Sequence, residues 1–315
     1  MHNAISLYIG WDVEMLTYEK LSKKPGMFRT FTGLTPKEFD KIYAQLEQQY
    51  PIYEQKRLTQ KKRKRAIGAG RPFKLSLKER MLMLLMYYRL YITYALIGYL
   101  FDLDQSNVYR NIALVEPVLK TCIPIPEKMT KRTRKIGTIE ELLELFPEMK
   151  AFIDATEQEI PRPKNKRRQK NYYSGKKKKH TVKIQIMVNK KGVILHKTKH
   201  RNGKKHDYHV FKEKGPPPIP SEVEVGVDLG YLGIEKDYPD MNVKIPVKKP
   251  RCKELTSKEK RYNKKLRKER VVVEHTISRM KKLRIMREEF RNSLTRYDRM
   301  TSIVCGLVNF TVLAE

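Results

Sequence analysis

Phe152-Ile153-Asp154-Ala155-Thr156 is the segment on which the fold turns. Upstream of Met149 the chain is patterned for helices, and downstream of it for strands. Strand alternation places Phe152, Asp154 and Thr156 on one face and Ile153 and Ala155 on the other. A carboxylate inside an apolar strand is costly unless it is neutralised or paired with a cation. Two further segments repeat that cost: Val225-Gly226-Val227-Asp228-Leu229-Gly230-Tyr231 and Arg270-Val271-Val272-Val273-Glu274-His275. The first reads as an apolar strand ending in an aspartate, the second as a helix with a glutamate beside its apolar face. Convergence of Asp154, Asp228 and Glu274 would make a site for divalent cations, which favour oxygen ligands.

Working outward, strands are expected at Ala151–Thr156, Thr181–Val188, Val193–Thr198, Glu222–Asp228 and Val243–Val247, with a helix near Asp207–Lys214. A long charged helix is expected over Ser257–Met286, and the apolar segment Thr301–Leu313 is suited to dock on the sheet. This order implies a mixed sheet with flanking helices. At about 100° per residue, Asn263, Arg267, Arg270, Glu274 and Lys281 share one polar stripe, beside an apolar stripe of Leu266, Val273, Ile277 and Met280. The stripe's cations either neutralise Glu274 or hold DNA phosphates.

The N-terminal half opens on a capping box, Thr35-Pro36-Lys37-Glu38, followed by Phe39, Ile42, Tyr43 and Leu46 at helical spacing. A basic run, Lys61–Arg65, leads through Gly68-Ala69-Gly70 and reads as a hinge with a phosphate-contacting arm. Residues 76–119 read as three helices, capped at Ser76 and Thr93 and turning at Asp102-Leu103-Asp104. A short helix, a tight turn and a second helix make the helix-turn-helix pattern. On the third helix Val108, Ile112 and Val115 face inward. Ser106, Asn107, Tyr109 and Arg110 lie where base edges would be read, with Asn107 and Arg110 the candidate readers. Tyr87, Tyr88, Tyr91 and Tyr94 are assigned to core packing.

Composition narrows the partner. Among 315 residues the net charge is +33, which self-repulsion makes costly unless a polyanion such as nucleic acid binds. The three scattered cysteines lack metal spacing and imply free thiols in a reducing compartment. Met1–Lys20 has no apolar leader core, and Met81–Phe101 carries Arg89 and breaks at Tyr91-Ile92-Thr93, which favours buried helices over a membrane span. His200, His206 and His209 have no cysteine partner and are read as caps or surface groups. Asp207 is a rival acidic ligand, but it stands at a helix start, where the dipole favours a carboxylate. Lys176–Lys179 is read as a phosphate-binding loop. Two ions held by three carboxylates would activate a water or a 3′-hydroxyl for in-line displacement at phosphorus.

These local sequences resemble the DDE transposases of the insertion-sequence 5 type, over about Phe31 to Asn309. Asp154-Ala155-Thr156 resembles the first acidic motif, and Tyr173-Ser174-Gly175-Lys176-Lys177 with His180-Thr181-Val182-Lys183 the segment after it. Asp228-Leu229-Gly230-Tyr231-Leu232-Gly233 resembles the second motif, with leucine where lysine or serine is usual. Arg270, Glu274 and Lys281 fit the spacing of the third, whose tyrosine position is Arg267 here. The segment from Thr32-Gly33-Leu34-Thr35-Pro36 through Leu119 resembles the helix-turn-helix region in front of such cores.

The resemblance implies an α+β, mixed fold: an all-helical N-terminal helix-turn-helix region followed by a ribonuclease-H-like mixed β-sheet domain with flanking helices. The expected boundaries are 1–70 for a helical region and basic hinge, 71–121 for the helix-turn-helix, 122–147 for a linker and 148–315 for the catalytic domain. Asp154, Asp228 and Glu274 would be catalytic and hold Mg²⁺ or Mn²⁺, as two ions, while Arg270 and Lys281 would grip phosphate beside the scissile bond. The expected partner is double-stranded DNA, at transposon ends and target, bound by a homo-oligomer without a membrane, in the cytoplasm at the nucleoid. The rivals are a catalytically silent DNA-binding regulator derived from a transposase and a metal-dependent nuclease without strand transfer.

Overall fold

The computed structural model describes residues 15–60, 66, 71–213 and 215–314. The basic run Lys61–Arg65 and the glycines at 68 and 70 lie outside the described residues. The N-terminal helices are α1 (Tyr18–Ser22), α2 (Pro25–Thr32), α3 (Pro36–Thr59), α4 (Leu77–Leu90), α5 (Tyr94–Phe101), α6 (Gln105–Cys122), α7 (Pro126–Thr133) and α8 (Ile139–Leu145). Their starts follow from local chemistry. Thr35 and Ser76 each close a full capping box with the glutamate three residues on, and Thr93 and Asp104 accept from the backbone of Leu96 and Ser106. The stretch 122–147 holds α7 and α8, with Thr130 Oγ1 donating to the Leu195 carbonyl at 2.8 Å.

The turn between α5 and α6 depends on Gly98. Asp102 takes a left-handed backbone, and the Leu103 amide donates back to the Gly98 carbonyl at 2.8 Å. A methyl group on Gly98 would lie 2.3 Å from the Leu103 carbonyl oxygen. Gly98→Ala is therefore expected to destabilise the protein by about 1–3 kcal/mol, the scale of overpacking, and to weaken DNA binding by tilting α6. Chemical denaturation and a binding titration on the same preparation check this.

The second half begins with β1 (Lys150–Glu159), α9 (Lys166–Tyr172), β2 (Tyr173–Ser174), β3 (Lys179–Asn189), β4 (Ile194–Lys197), β5 (Arg201–Asn202) and α10 (Asp207–Lys212). It continues with β6 (Glu224–Gly226), α11 (Ile234–Asp237), β7 (Val243–Lys244), α12 (Ser257–Lys281), α13 (Arg284–Arg287) and α14 (Tyr297–Ala314). β1 is central, antiparallel to β3 and parallel to β6, and β6 is parallel to β7. β2, β5 and β4 pair with successive stretches of β3, all antiparallel. This is an α+β architecture, helices first and a mixed sheet after, as the resemblance implied.

Several expected ends differ. The strand expected at Glu222–Asp228 pairs only over Glu224–Gly226, because the chain turns into a 3-10 segment at Leu229. The strand expected at Val243–Val247 stops at Lys244. Farther on, Asn263 of α12 takes both backbone groups of Val247, at 2.8 and 3.0 Å, in place of a sheet partner. The long helix ends at Lys281 rather than Met286, and the chain restarts as α13.

One face of the sheet, with Phe152, Val182, Ile184 and Ile186, joins the α12 and α14 side chains and those of α1–α6 in a single apolar core. The other face, with Ile153, Met187 and Val225, packs on Leu145, Phe211 and Tyr231. Alternation along β1 thus sends Asp154 toward the α12 side. α14 is pinned there by Asn309, which accepts from the Ile194 amide at 2.7 Å and donates to its carbonyl at 2.9 Å.

Candidate active site

Asp154 lies opposite Ile186 and is mostly buried beneath α12. Its Oδ1 accepts from the Ala155 amide at 2.7 Å, and Arg270 Nη2 stands 3.8 Å from Oδ2. Burial pushes its carboxyl up to about 6 from 3.8, against the pull of the Ala155 amide and Arg270, and Asp228 and Asp207 push the same way as burial. Arg270 is only 8% exposed, and its Nε has no hydrogen-bond partner among the described residues. Gly226 lets the Arg270 stem pass, since a methyl group there would lie 2.7 Å from the Phe152 ring and 3.5 Å from Arg270 Cγ. Arg270 therefore balances Asp154 instead of Glu274.

Asp228 follows the last paired residues of β6, where ligands of open sheets gather. Its Oδ1 accepts from the Gly230 amide at 2.8 Å and so caps the short turn Leu229–Tyr231. Tyr231 anchors that turn: it is buried, meets Phe211 edge-on and accepts from Gln185 Nε2 at 2.9 Å. Burial, then Asp207, Asp154 and Asp228, raise the Tyr231 phenol far above its ordinary range.

Glu274 is exposed on α12, one turn beyond Arg270. It shares a surface hollow of about 250 Å³ with Asp154, Asp207, Lys177 and Lys281. Burial and Lys177 lower the pKa of the Lys281 ammonium, while Asp154 and Glu157 raise it. The structure thus brings Asp154 and Glu274 together in one hollow, which Asp228 does not line, although its charge is felt at Asp154. Among the described residues no three His, Cys, Asp or Glu side chains stand close enough to hold one metal ion. The donors are all oxygen, which suits a hard divalent cation.

Reading the sequence missed the partners of Asp207. It opens α10 as expected, yet its carboxylate also pairs with Lys183 at 2.7 Å, and Lys183 pairs with Glu157 at 3.3 Å. A lysine in an otherwise buried strand was the available signal. Of the lysine loop, Lys176 and Lys177 line the hollow while Lys179 pairs with Glu159 at 2.7 Å. His200 is held by Asp298 at 3.0 Å, and His209 lies 3.5 Å from Glu213. Asn107 and Arg110 are exposed on α6, joined by a 3.2 Å hydrogen bond, while Val108, Ile112 and Val115 are buried.

A helix-turn-helix in front of a mixed sheet with acidic strand ends defines a class of nucleic-acid-cutting proteins. The chain belongs to the DDE superfamily of endonucleases: that family's model matches residues 153–309, and the model for its helix-turn-helix matches residues 73–125. It is 32% identical over 241 residues to a protein of Microchaete diplosiphon described as "Probable transposase for insertion sequence element IS702". That match covers 76% of this chain and 83% of the relative. No solved structure matches significantly. Among the described residues no helix is long and apolar enough to cross a membrane.

Proposed function

We propose that this protein is the transposase of an insertion sequence of the insertion-sequence 5 type, cutting DNA at the element's ends and joining the freed 3′-hydroxyls to target DNA. The observation that carries the reading is Asp154. It is a buried carboxylate, repelled by Asp228 and opening on a hollow shared with Glu274 and Lys281, behind a helix-turn-helix. Asp154, Asp228 and Glu274 would hold two divalent ions, Mg²⁺ or Mn²⁺. When bound, such ions polarise a phosphoryl oxygen and activate the attacking oxygen. The chain's own residues do the positioning. Lys281 and Lys177 present cations where a phosphate would lie, and Arg270 keeps Asp154 oriented. The protein acts on DNA as a homo-oligomer in the cytoplasm.

The test is purified protein with Mg²⁺ and the DNA flanking its own gene. Cuts at the element ends followed by joining are expected. Cuts without joining would favour a nuclease, and specific binding without cuts a silent regulator.

Two binding results are expected. With +33 net charge and about six phosphates neutralised, the log–log salt dependence on random duplex should have a slope near −5. A slope near zero would assign the charge to another partner. Asn107→Ala and Arg110→Ala should each lower the preference for end DNA by roughly 1–3 kcal/mol. Lys281→Ala should instead slow cutting and leave that preference in place, because phosphate contacts position without reading sequence. Competition binding and single-turnover cutting on the same DNA separate the two.

A further inference from the structure

A basic cleft lies away from the hollow at Asp154, where the helix-turn-helix half meets the end of α12. It encloses about 490 Å³ between α2, α4, α12 and α14. Arg29 of α2, Arg89 of α4 and Lys282, just after α12, line it, and none of the three makes an ion pair among the described residues. Among those residues the only carboxylate lining it, Glu38, is committed to the cap of α3. Its Oε2 accepts from the Thr35 amide and hydroxyl at 2.6 and 2.8 Å. Leu283, Leu307 and Val308 supply apolar walls. Charge of one sign in a cleft with low-dielectric walls focuses the field and draws in a counter-ion.

The cluster is costly without one. Burial lowers the Arg89 pKa, and Arg284, Arg29 and Arg287 lower it further. Arg89 is nevertheless fixed across three elements. Its Nη1 donates to the Lys282 carbonyl at 2.7 Å and its Nε to the Thr30 carbonyl at 3.3 Å, at the ends of α12 and α2. Its Nη2 has no partner among the described residues, and Arg29 and Lys282 stand exposed at the rim. A guanidinium held in place beside two more cations suits a phosphate, which takes charge-assisted hydrogen bonds.

Position favours a phosphate of DNA. The last turn of α12 separates cleft from hollow, with Lys281 lining the hollow and Lys282 the cleft. From Glu274 to Lys282 the helix rises about 12 Å, roughly three to four base pairs of duplex. A duplex with one phosphate in the hollow therefore carries others within reach of the cleft.

We propose that this cleft binds a backbone phosphate of the bound DNA a few base pairs from the phosphate being cut, held by Arg29, Arg89 and Lys282. Its cations come from both halves of the chain, so the site is complete only where the helix-turn-helix half docks on α12. This rests on the reading of the chain as a DNA-cutting transposase, and adds a positioning site outside the hollow.

Single methylphosphonates, each removing the charge of one phosphate, locate the contact in chelator without any cutting. They are placed one at a time along both strands of end DNA. In wild type, one or two positions roughly three to four base pairs from the cut should weaken binding about tenfold, the scale of one hydrogen-bonded charge. Arg29→Gln and Lys282→Gln, both at exposed positions, should weaken binding to unmodified DNA and lower the log–log salt slope by about one. At the located positions these variants should lose about twofold more at most, because the partner is already gone. At every other position they should lose as much as wild type. Arg29→Lys should keep the wild-type pattern. Equal losses for variants and wild type at every position overturn the proposal, and cuts at the element ends by wild type would then leave the enzyme reading intact. Tripolyphosphate that binds wild type, fails to bind Lys282→Gln and is not displaced by end DNA would assign the cleft to a free polyphosphate and overturn it too. No binding of DNA in any form would sink the transposase reading itself, and the proposal with it.

Discussion

Asp154→Asn, Asp228→Asn and Glu274→Gln are each expected to slow DNA cutting by roughly a thousandfold or more, about 4 kcal/mol of lost transition-state stabilisation. Each change removes one negative charge with almost no change in volume. Binding through α4–α6 should persist, since no residue of those helices lines the hollow. The three variants should differ in stability, which separates lost chemistry from lost fold. Glu274 is exposed, so Glu274→Gln should stay within about 0.5 kcal/mol of wild type. Asp154 is different, because its folded pKa of about 6 lies above the ordinary 3.8. An acid whose pKa rises on folding penalises the folded state once it ionises. The penalty is fully present above about pH 6, shrinks as pH falls and is gone below 3.8. Asp154→Asn has no such penalty, so in chelator at neutral pH it should be at least as stable as wild type, with the difference vanishing near pH 3.8. Wild-type cutting by any one variant would remove that residue from the site. A stability loss parallel to the activity loss would make the effect structural.

How much of this was legible in the sequence depended on how local the physics is. The caps at Thr35, Ser76, Thr93 and Thr256 were readable or follow the same rule, because a hydroxyl bonds an amide two or three residues away. The central strand was readable because alternation puts Phe152 and Ile153 on opposite faces, and the two cores divide them so. Helix angle correctly set Arg270 and Glu274 on one stripe, but not that Arg270 turns toward Asp154 on a strand more than a hundred residues earlier. The end of β7 was over-extended because a side chain, Asn263, replaces a strand partner at Val247, and the end of β6 because the chain turns at Leu229–Tyr231. The end of α12 carries no glycine or proline to mark it. Tyr87, Tyr91 and Tyr94 do pack inward, but their hydroxyls gather at Asn292, some two hundred residues on. Such partners are set by tertiary docking, for which sequence spacing carries no signal.

The same docking holds the largest expected effect on stability. Glu116 of α6 is 2% exposed, accepts from Tyr88 at 3.1 Å and from Arg296 Nη2 at 2.5 Å. Arg296 stands just before α14 and also donates to the Tyr94 hydroxyl at 3.3 Å. This pair ties the helix-turn-helix to the segment that carries α14, and α14 in turn is bonded to β4. Removing one partner strands a buried charge, which costs about 3–5 kcal/mol, whereas replacing both with apolar groups is often near neutral. Arg296→Met is therefore expected to cost about 3–5 kcal/mol in denaturant unfolding, and Glu116→Leu combined with Arg296→Met distinctly less. If Arg296→Met proves as stable as wild type, Glu116 is satisfied by other means and the pair is not what joins the two halves. If the double variant is worse than the single one, Glu116 and Tyr88 hold α6 without the arginine. The expected ordering makes this buried ion pair one of the ties between α6 and the segment carrying α14, beside the shared apolar core and the Asn292 contacts, and it predicts that cutting by Arg296→Met fails at a lower denaturant concentration than wild type.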